Sequence, residues 1–264
     1  MRLTGKVAVV VGAGGGMGRA TALLFGREGA RVVVVDVNSD IARETAELIA
    51  TEGGQATAIG ADITAAADVM EIVNHSRAVF GTPTVLVNCA GVDTEEKKSL
   101  LDIAEPAFDR AVAVNLKGAW LLIKYLAPEM IAAGGGSIVQ VASRSAINTG
   151  LTMGYSGAKA GLISMVRVAA AELAEHNIRV NTLCPSATLT PLAMKIRAEQ
   201  EAKGFVPDNS FLKRMSLLGR MAEPAEVANL ALFLSSDDAS YLTAATYMHD
   251  SGWTSTRSFN GAAL

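Results

Sequence analysis

The chain is short of several things that would each announce a function. It has two cysteines in 264 residues, Cys89 and Cys184, and both lie in apolar, strand-like segments. That is too sparse for a disulfide scaffold, and without neighbouring His or Cys it makes no zinc site. There is no run of one charge. The formal net charge is -3, so a basic surface for nucleic acid is not expected. No apolar stretch is long enough to span a bilayer, since the one around residues 111–133 is broken by Asn115, Lys117 and Lys124. The first residues run straight into a strand pattern, without the basic-then-apolar build of a secretory signal. The expectation is a soluble cytoplasmic protein with no membrane or nucleic-acid partner.

What the chain has in quantity is apolar residues, half of the total, arranged in an alternation. Short β-branched runs at 6–11, 31–36, 55–59, 84–88, 137–142, 178–184 and 245–249 read as seven strands. Between them, helical spacing predicts helices over 17–28, 40–52, 65–80, 106–133, 155–176 and 223–235. Glycines stop several of them, at Gly29, Gly53 and Gly134. Strand–helix alternation with short connections predicts one α/β domain over 1–264, a parallel sheet with helices on both faces. Residues 188–218 are less regular and long for a connection, which suggests a lid over a site; a pair of surface helices is the plainer alternative. Residues 254–264 form a tail carrying Arg257 and Phe259, which either reaches a neighbouring subunit or frays.

The first strand runs into Gly12-Ala13-Gly14-Gly15-Gly16-Met17-Gly18 and then a helix. Glycines there permit a tight turn and close approach of a pyrophosphate, while the helix N-terminus presents free N–H groups. The G-x-G-x-x-G spacing fails at Met17, but G-x-x-x-G-x-G fits Gly12, Gly16 and Gly18. Asp36 ends the second strand, where a carboxylate can accept both adenosine ribose hydroxyls and would repel a 2′-phosphate. Val37 and Gly15 offer that phosphate no cation. The expected cofactor is therefore NAD, with a capping or surface aspartate as the alternative for Asp36.

Tyr155 and Lys159 are four apart on one helix face, with Ser143 just past the fifth strand. A tyrosine that exchanges protons near neutrality must come down from a pKa of about 10, worth about 4 kcal/mol. A cation one turn away, or an adjacent nicotinamide cation, can supply that. The serine hydroxyl could hold the substrate oxygen meanwhile. Y-x-x-x-K alone is common on helix surfaces, so the surroundings carry the argument.

Those surroundings resemble the short-chain dehydrogenases/reductases over roughly residues 5 to 253. The glycine motif resembles Gly12–Gly18. The family's Asn-Asn-Ala-Gly is similar to Asn88-Cys89-Ala90-Gly91, and its catalytic asparagine to Asn115. Its serine, tyrosine and lysine match Ser143, Tyr155 and Lys159. Its Pro-Gly-x-x-x-Thr-Pro segment resembles Pro185 to Pro191, and its Asp-Gly-Gly resembles Asp250-Ser251-Gly252.

The resemblance implies a doubly wound Rossmann fold, a homotetramer and a set of roles. Tyr155 would be the acid/base. Lys159 would hold the nicotinamide ribose and lower the tyrosine pKa. Ser143 would orient the substrate oxygen, and Asn115 would anchor a water leading protons from the lysine. Gly12, Gly16, Met17 and Gly18 would wrap the phosphates. Asp62 and Ile63 would touch the adenine, and Asn88, Ala90 and Gly91 would line the cleft. Pro185, Thr188 and Thr190 would hold the carboxamide end. Plainer alternatives are a helix-kink residue for Asn115 and a helix cap for Thr190. Departures from the pattern are Val11, Cys89, Ser186, Ala244-Ala245 and Ser251; they bear on loop stability, not on the acid/base set.

The implied reaction interconverts a secondary alcohol (alcohol, diol, sugar or hydroxy acid) and its ketone. An NADPH-dependent 3-oxoacyl-type ketoreductase is the alternative, which Asp36 disfavours. A silent nucleotide-binding sensor is a third reading, which an intact Ser143, Tyr155 and Lys159 speak against. Arg144, beside Ser143, could hold an anionic substrate group. The segments expected to line the pocket, 92–101, 144–154 and 188–218, do not converge on one substrate.

Overall fold

The computed structural model describes residues 1–94, 99–148, 152–190, 193–194 and 216–256. Most of the expected lid (191–192 and 195–215) and of the tail (257–264, with Arg257 and Phe259) lies outside these residues, as does Pro191.

Seven strands form one parallel sheet in the order β3-β2-β1-β4-β5-β6-β7. They are β1 (Val7–Val11), β2 (Arg31–Asp36), β3 (Gln55–Gly60), β4 (Val85–Asn88), β5 (Gly136–Val141), β6 (Ile178–Pro185) and β7 (Thr246–His249). The central strands are apolar without alternation because both sheet faces are covered. All five residues of β1 are buried, at about 1.5–3 kcal/mol for each large side chain.

On one face lie α1 (Gly16–Arg27), α2 (Ser39–Thr51) and α7 (Pro224–Ser235), closing over Val10, Phe25, Val34, Ile49 and Leu232. On the other lie α3 (Ala66–Val79), α5 (Ala119–Ala132) and α6 (Met153–Leu173), closing over Val9, Ile72, Leu86, Leu122 and Val166. The chain leaves β1 first toward β2 and later returns on its other side as β4. The strand order reverses between β1 and β4, so their carboxyl ends open a crevice where such sheets take ligands.

The expected helix over 106–133 is not continuous. It divides into α4 (Glu105–Val112), a π-helical stretch (Ala113–Gly118) and α5. Hydrophobic periodicity cannot register this, because inserting a residue into a helical turn leaves the apolar stripe nearly in phase. Among the described residues, no helix is long and apolar enough to cross a membrane, and no cluster of His, Cys, Asp or Glu could hold a metal.

Candidate active site

The turn after β1 is built from missing side chains. Gly12 has φ +70°, and a methyl on it would stand 2.7 Å from the Ala90 nitrogen on the facing β4 turn. A methyl on Gly18 would sit 2.0 Å from the Gly12 carbonyl oxygen, so α1 can start against this turn only with glycine there. A methyl on Gly15 would meet nothing, and no side chain caps α1 or places an acid in its first turn. The free N–H groups and positive end of α1 therefore face open space. Asp36, at the end of β2, turns back onto this loop. Its Oδ2 accepts from Gly14 N–H (3.0 Å) and its Oδ1 from Asn38 N–H (3.1 Å). An uncapped helix start, a glycine wall and one carboxylate suit a dinucleotide.

At the end of β3, Asp62 is held below the usual carboxylate range, first by the Thr64 N–H and also by the Thr64 hydroxyl and Arg110. Ile63 is buried and fills the place a side chain on Gly118 would need, with its Cγ1 2.7 Å from that position. The adenine-contacting pair of the sequence reading thus braces the π-helical stretch. Asn88 is buried too. It donates to Gln140 Oε1 (2.8 Å) and accepts from Ala90 N–H (3.1 Å), shaping the turn that carries Ala90 and Gly91.

The π-helical stretch turns Asn115 inward, 1% exposed. Its amide donates to Ala111 O (2.8 Å) and Val92 O (2.7 Å), and its Oδ1 accepts from Val92 N–H (3.2 Å). Both donors are spent on backbone, so only Oδ1 keeps capacity for a water. Asn115 both lies in a helix irregularity and clamps the β4 turn; π-turns of this kind recur at functional sites.

Lys159, 2% exposed, donates to Val141 O (2.8 Å) from the second turn of α6. A methyl on Gly91 would lie 3.0 Å from Asn115 Oδ1 and 3.3 Å from Lys159 Nζ, so only glycine lets the two converge. Burial pulls the Lys159 ammonium down to about 8. Burial also pushes the neighbouring thiols up, Cys89 to about 12 and Cys184 to about 11, which keeps both protonated and unreactive.

Tyr155, one turn before Lys159, has its ring centre 5.8 Å from Nζ, and its phenol is set against the Ser143 side chain. Burial pushes the phenol above its ordinary value; the Ser143 hydroxyl opposes this, and the charge of Asp93 adds to it. The sequence reading expects Lys159 to lower this phenol, and burial acts against that. A dry site weakens the ammonium's own hold on its proton as it raises the tyrosine.

Ser143 is 8% exposed beyond β5, and its Oγ also accepts from the Ser145 N–H (3.2 Å) and hydroxyl (2.9 Å). Arg144 lies over the Trp253 ring, 4.3 Å from its centre, which ties the serine-bearing loop to α8 (Trp253–Thr256).

The structure brings Ser143, Tyr155, Lys159, Asn115 and Gly91 together at the sheet's carboxyl edge. Pro185 ends β6, and Thr188 and Thr190 follow it on the same edge with their hydroxyls already in hydrogen bonds. Thr188 donates to Ser186 O (3.1 Å) and Thr190 Oγ1 accepts from Ala193 N–H (3.2 Å), as a helix cap would. Three neighbours were not singled out by the sequence reading: Asp93, Ser145 and Thr152. Thr152 stands at the N-cap of α6 with its hydroxyl donated to Asp93 Oδ1. Their only sequence signal is proximity, two residues after Gly91, two after Ser143 and three before Tyr155.

The comparisons agree with this geometry. A family model described as enoyl-(acyl carrier protein) reductase matches residues 12–254. The NAD-dependent glycerol dehydrogenase of Listeria innocua is 37% identical, with 96% of this chain and 95% of that one covered. The 3-oxoacyl-[acyl-carrier-protein] reductase of Thermotoga maritima is 36% identical, covering 96% and 99%. A solved 7α-hydroxysteroid dehydrogenase, complexed with NADH and 7-oxoglycochenodeoxycholic acid, superposes with a TM-score of 0.87 at 34% identity, covering 95% of each chain. With its glycine turn, its switch-point crevice and its gathered Ser143, Tyr155 and Lys159, the chain belongs to the short-chain dehydrogenase/reductase family of oxidoreductases.

Proposed function

We propose that the protein is an NAD-dependent dehydrogenase that oxidises a secondary alcohol to its ketone, with Tyr155 as acid/base. The observation that carries this is the meeting of the Ser143 hydroxyl, the Tyr155 phenol and the buried Lys159 beside the glycine turn. A module that only binds nucleotide needs no tyrosine set against a serine.

The glycine turn and α1 hold the pyrophosphate, and Asp36 accepts from the adenosine ribose. Arg19 and Arg43, the nearby cations on α1 and α2, are engaged by Glu44 and Asp40, and Val37 is exposed; this supports NAD over NADP. When bound, the dinucleotide supplies the hydride acceptor and, in its oxidised form, a positive charge near the phenol. Ser143 Oγ donates to the substrate oxygen and orients it. Tyr155 takes the hydroxyl proton as the carbon gives up hydride, and returns it in the reverse direction. Lys159 has two N–H donors left for ribose hydroxyls after its bond to Val141 O. Asn115 holds the β4 turn at the distance this requires. Arg144 keeps the Ser143 loop in place against Trp253.

A second reading, an NADPH-dependent 3-oxoacyl-type reductase, draws on the Thermotoga maritima relative. One screen separates them: alcohols, diols, sugars and hydroxy acids with NAD and NADP in parallel, with Tyr155→Phe as control. Turnover with NAD that the substitution abolishes is the expected result. Turnover mainly with NADP favours the reductase, and NADH binding without turnover sinks both.

The protein also presents an apolar face, where Leu116 and Trp120 of the π-stretch and α5 meet Met165 and Val168 of α6. Trp120 is 44% and Val168 56% exposed. Such a patch supports self-association into the tetramer expected from the resemblance; sedimentation of Trp120→Glu against the parent chain tests it.

A further inference from the structure

Two residues beyond Gly91, Asp93 is more constrained than a loop residue needs to be. Asn115 grips the backbone just before it through both the N–H and the carbonyl of Val92. The carboxylate is fixed from the other side, where Oδ1 accepts the Thr152 hydroxyl. Thr152 is 8% exposed and occupies the N-cap of α6, one turn before Tyr155. A threonine at that position ordinarily turns its oxygen onto the helix amides. Here it makes no capping bond and gives its hydroxyl to Asp93.

The second oxygen, Oδ2, has no hydrogen-bond partner among the described residues, and no cation there pairs with the carboxylate. The charge is nonetheless felt at the phenol, which Asp93 pushes further up. A half-buried carboxylate with one oxygen tethered and one open discriminates by chemistry. It welcomes a hydrogen-bond donor, leaves an apolar group facing an unsatisfied acceptor and repels an anion.

We propose that Asp93 is a substrate-contacting residue that accepts a hydrogen bond from a hydroxyl beside the reacting carbinol, making the preferred substrates vicinal diols and polyols. This rests on Ser143, Tyr155 and Lys159 oxidising an alcohol, as proposed above. It also sets the neighbouring Arg144 aside as a substrate anchor, since the carboxylate opposes the anions that Arg144 would attract.

Three matched substrates isolate the group next to the carbinol: propane-1,2-diol, butan-2-ol and lactate. The parent chain and Asp93→Asn are compared by kcat/KM on each. Binding of propane-1,2-diol is read separately, as its shift of the melting temperature. Asparagine still accepts the Thr152 hydroxyl, so the loop keeps its tether. The parent chain should prefer the diol over butan-2-ol at least tenfold. Asp93→Asn should cut that ratio tenfold or more, chiefly through KM, raise lactate relative to butan-2-ol and reduce the diol's melting shift. Thr152→Val, which frees the carboxylate without removing it, should reduce the ratio severalfold.

A parent ratio near one, or one that Asp93→Asn leaves unchanged, overturns the proposal while the dehydrogenase reading stands. So does a parallel fall in kcat on diol and butan-2-ol, which would make Asp93 a positioning residue acting through Thr152. Absence of turnover on every alcohol of the wider screen, despite NADH binding, overturns the reading beneath it.

Discussion

The two halves of the site are made by opposite means. Around Gly12 to Gly18 the structure works by subtraction: side chains are missing, backbone is bent into φ +70° at Gly12, and helix amides are left open. Around Tyr155 it works by crowding, with an ammonium, an asparagine amide, a thiol and a serine buried about a half-buried phenol. The first half can be damaged by adding an atom and the second by removing one. Charge is handled differently as well. The nucleotide half holds Asp62 below the usual carboxylate range, first through the Thr64 N–H. The chemical half holds its acid and its cation in surroundings that favour their neutral forms.

The contrast can be broken at several points. The largest effect should come from Tyr155→Phe, which removes one oxygen: kcat for alcohol oxidation should fall about 10³-fold, within the range for an acid/base group, while NADH titration gives an unchanged affinity. The raised phenol also sets a pH dependence. Oxidation requires the deprotonated phenol, so its rate should climb with pH above 7, whereas carbonyl reduction uses the protonated form and should fall toward alkaline pH; paired pH profiles check the signs.

Adding one atom on the other side should come next. Gly18→Ala places a methyl 2.0 Å from the Gly12 carbonyl, and the resulting shift of the turn should weaken NADH binding about 100-fold or cost stability of about 1–3 kcal/mol, read by titration and by urea melts. If both stay unchanged, the turn is not built as described.

Lys159→Met sharpens the comparison because activity and stability should move in opposite directions. A lysine held at about 8 when folded, against an ordinary value of about 10.5, is penalised below pH 8. The unfolded chain binds more protons between those values, so the parent gains stability as pH rises from 8 to 10.5. The substitution should therefore raise stability at pH 7 by about 1–3 kcal/mol and abolish turnover, the stability gain shrinking toward pH 10. Denaturation of both proteins at each pH tests the difference.

The smallest effect concerns a glycine that is lacking. Ala244, between α7 and β7, has φ +59°, a left-handed conformation that suits glycine. Ala244→Gly should stabilise by about 0.5 kcal/mol, the steric relief exceeding the added chain entropy; a melting temperature that falls refutes this.

Much of the architecture was legible because it follows from periodicity. Valine runs at 7–11 and 31–36 have no polar face, so they can only be interior strands of a covered sheet. Gly12, Gly18 and Asp36 were legible because a strand–turn–helix with an acid on the next strand has few other uses. The break in the helix over 106–133 was not, since Asn115 reads as one polar residue in an apolar stripe until the packing of Ile63 against Gly118 and of Asn115 against Val92 is known. Asp93 and Thr152 lie 59 positions apart, and nothing local in either joins them.

The amino-acid sequence by itself determined the strand–helix alternation, the glycine turn, Asp36 as the acid opposite it, and a serine, tyrosine and lysine at the spacing of one strand end and one helix. Each follows from local geometry: the period of a strand or helix, the φ a turn requires, the reach of four residues along α6. Only the tertiary structure decided that Lys159 is buried rather than on a helix surface, that Tyr155 comes against Ser143, and that Asp93 is tied to the start of the tyrosine's helix through Thr152. Burial and charge coupling depend on what arrives from distant parts of the chain, so protonation and substrate preference belong to the folded protein rather than to any segment of it.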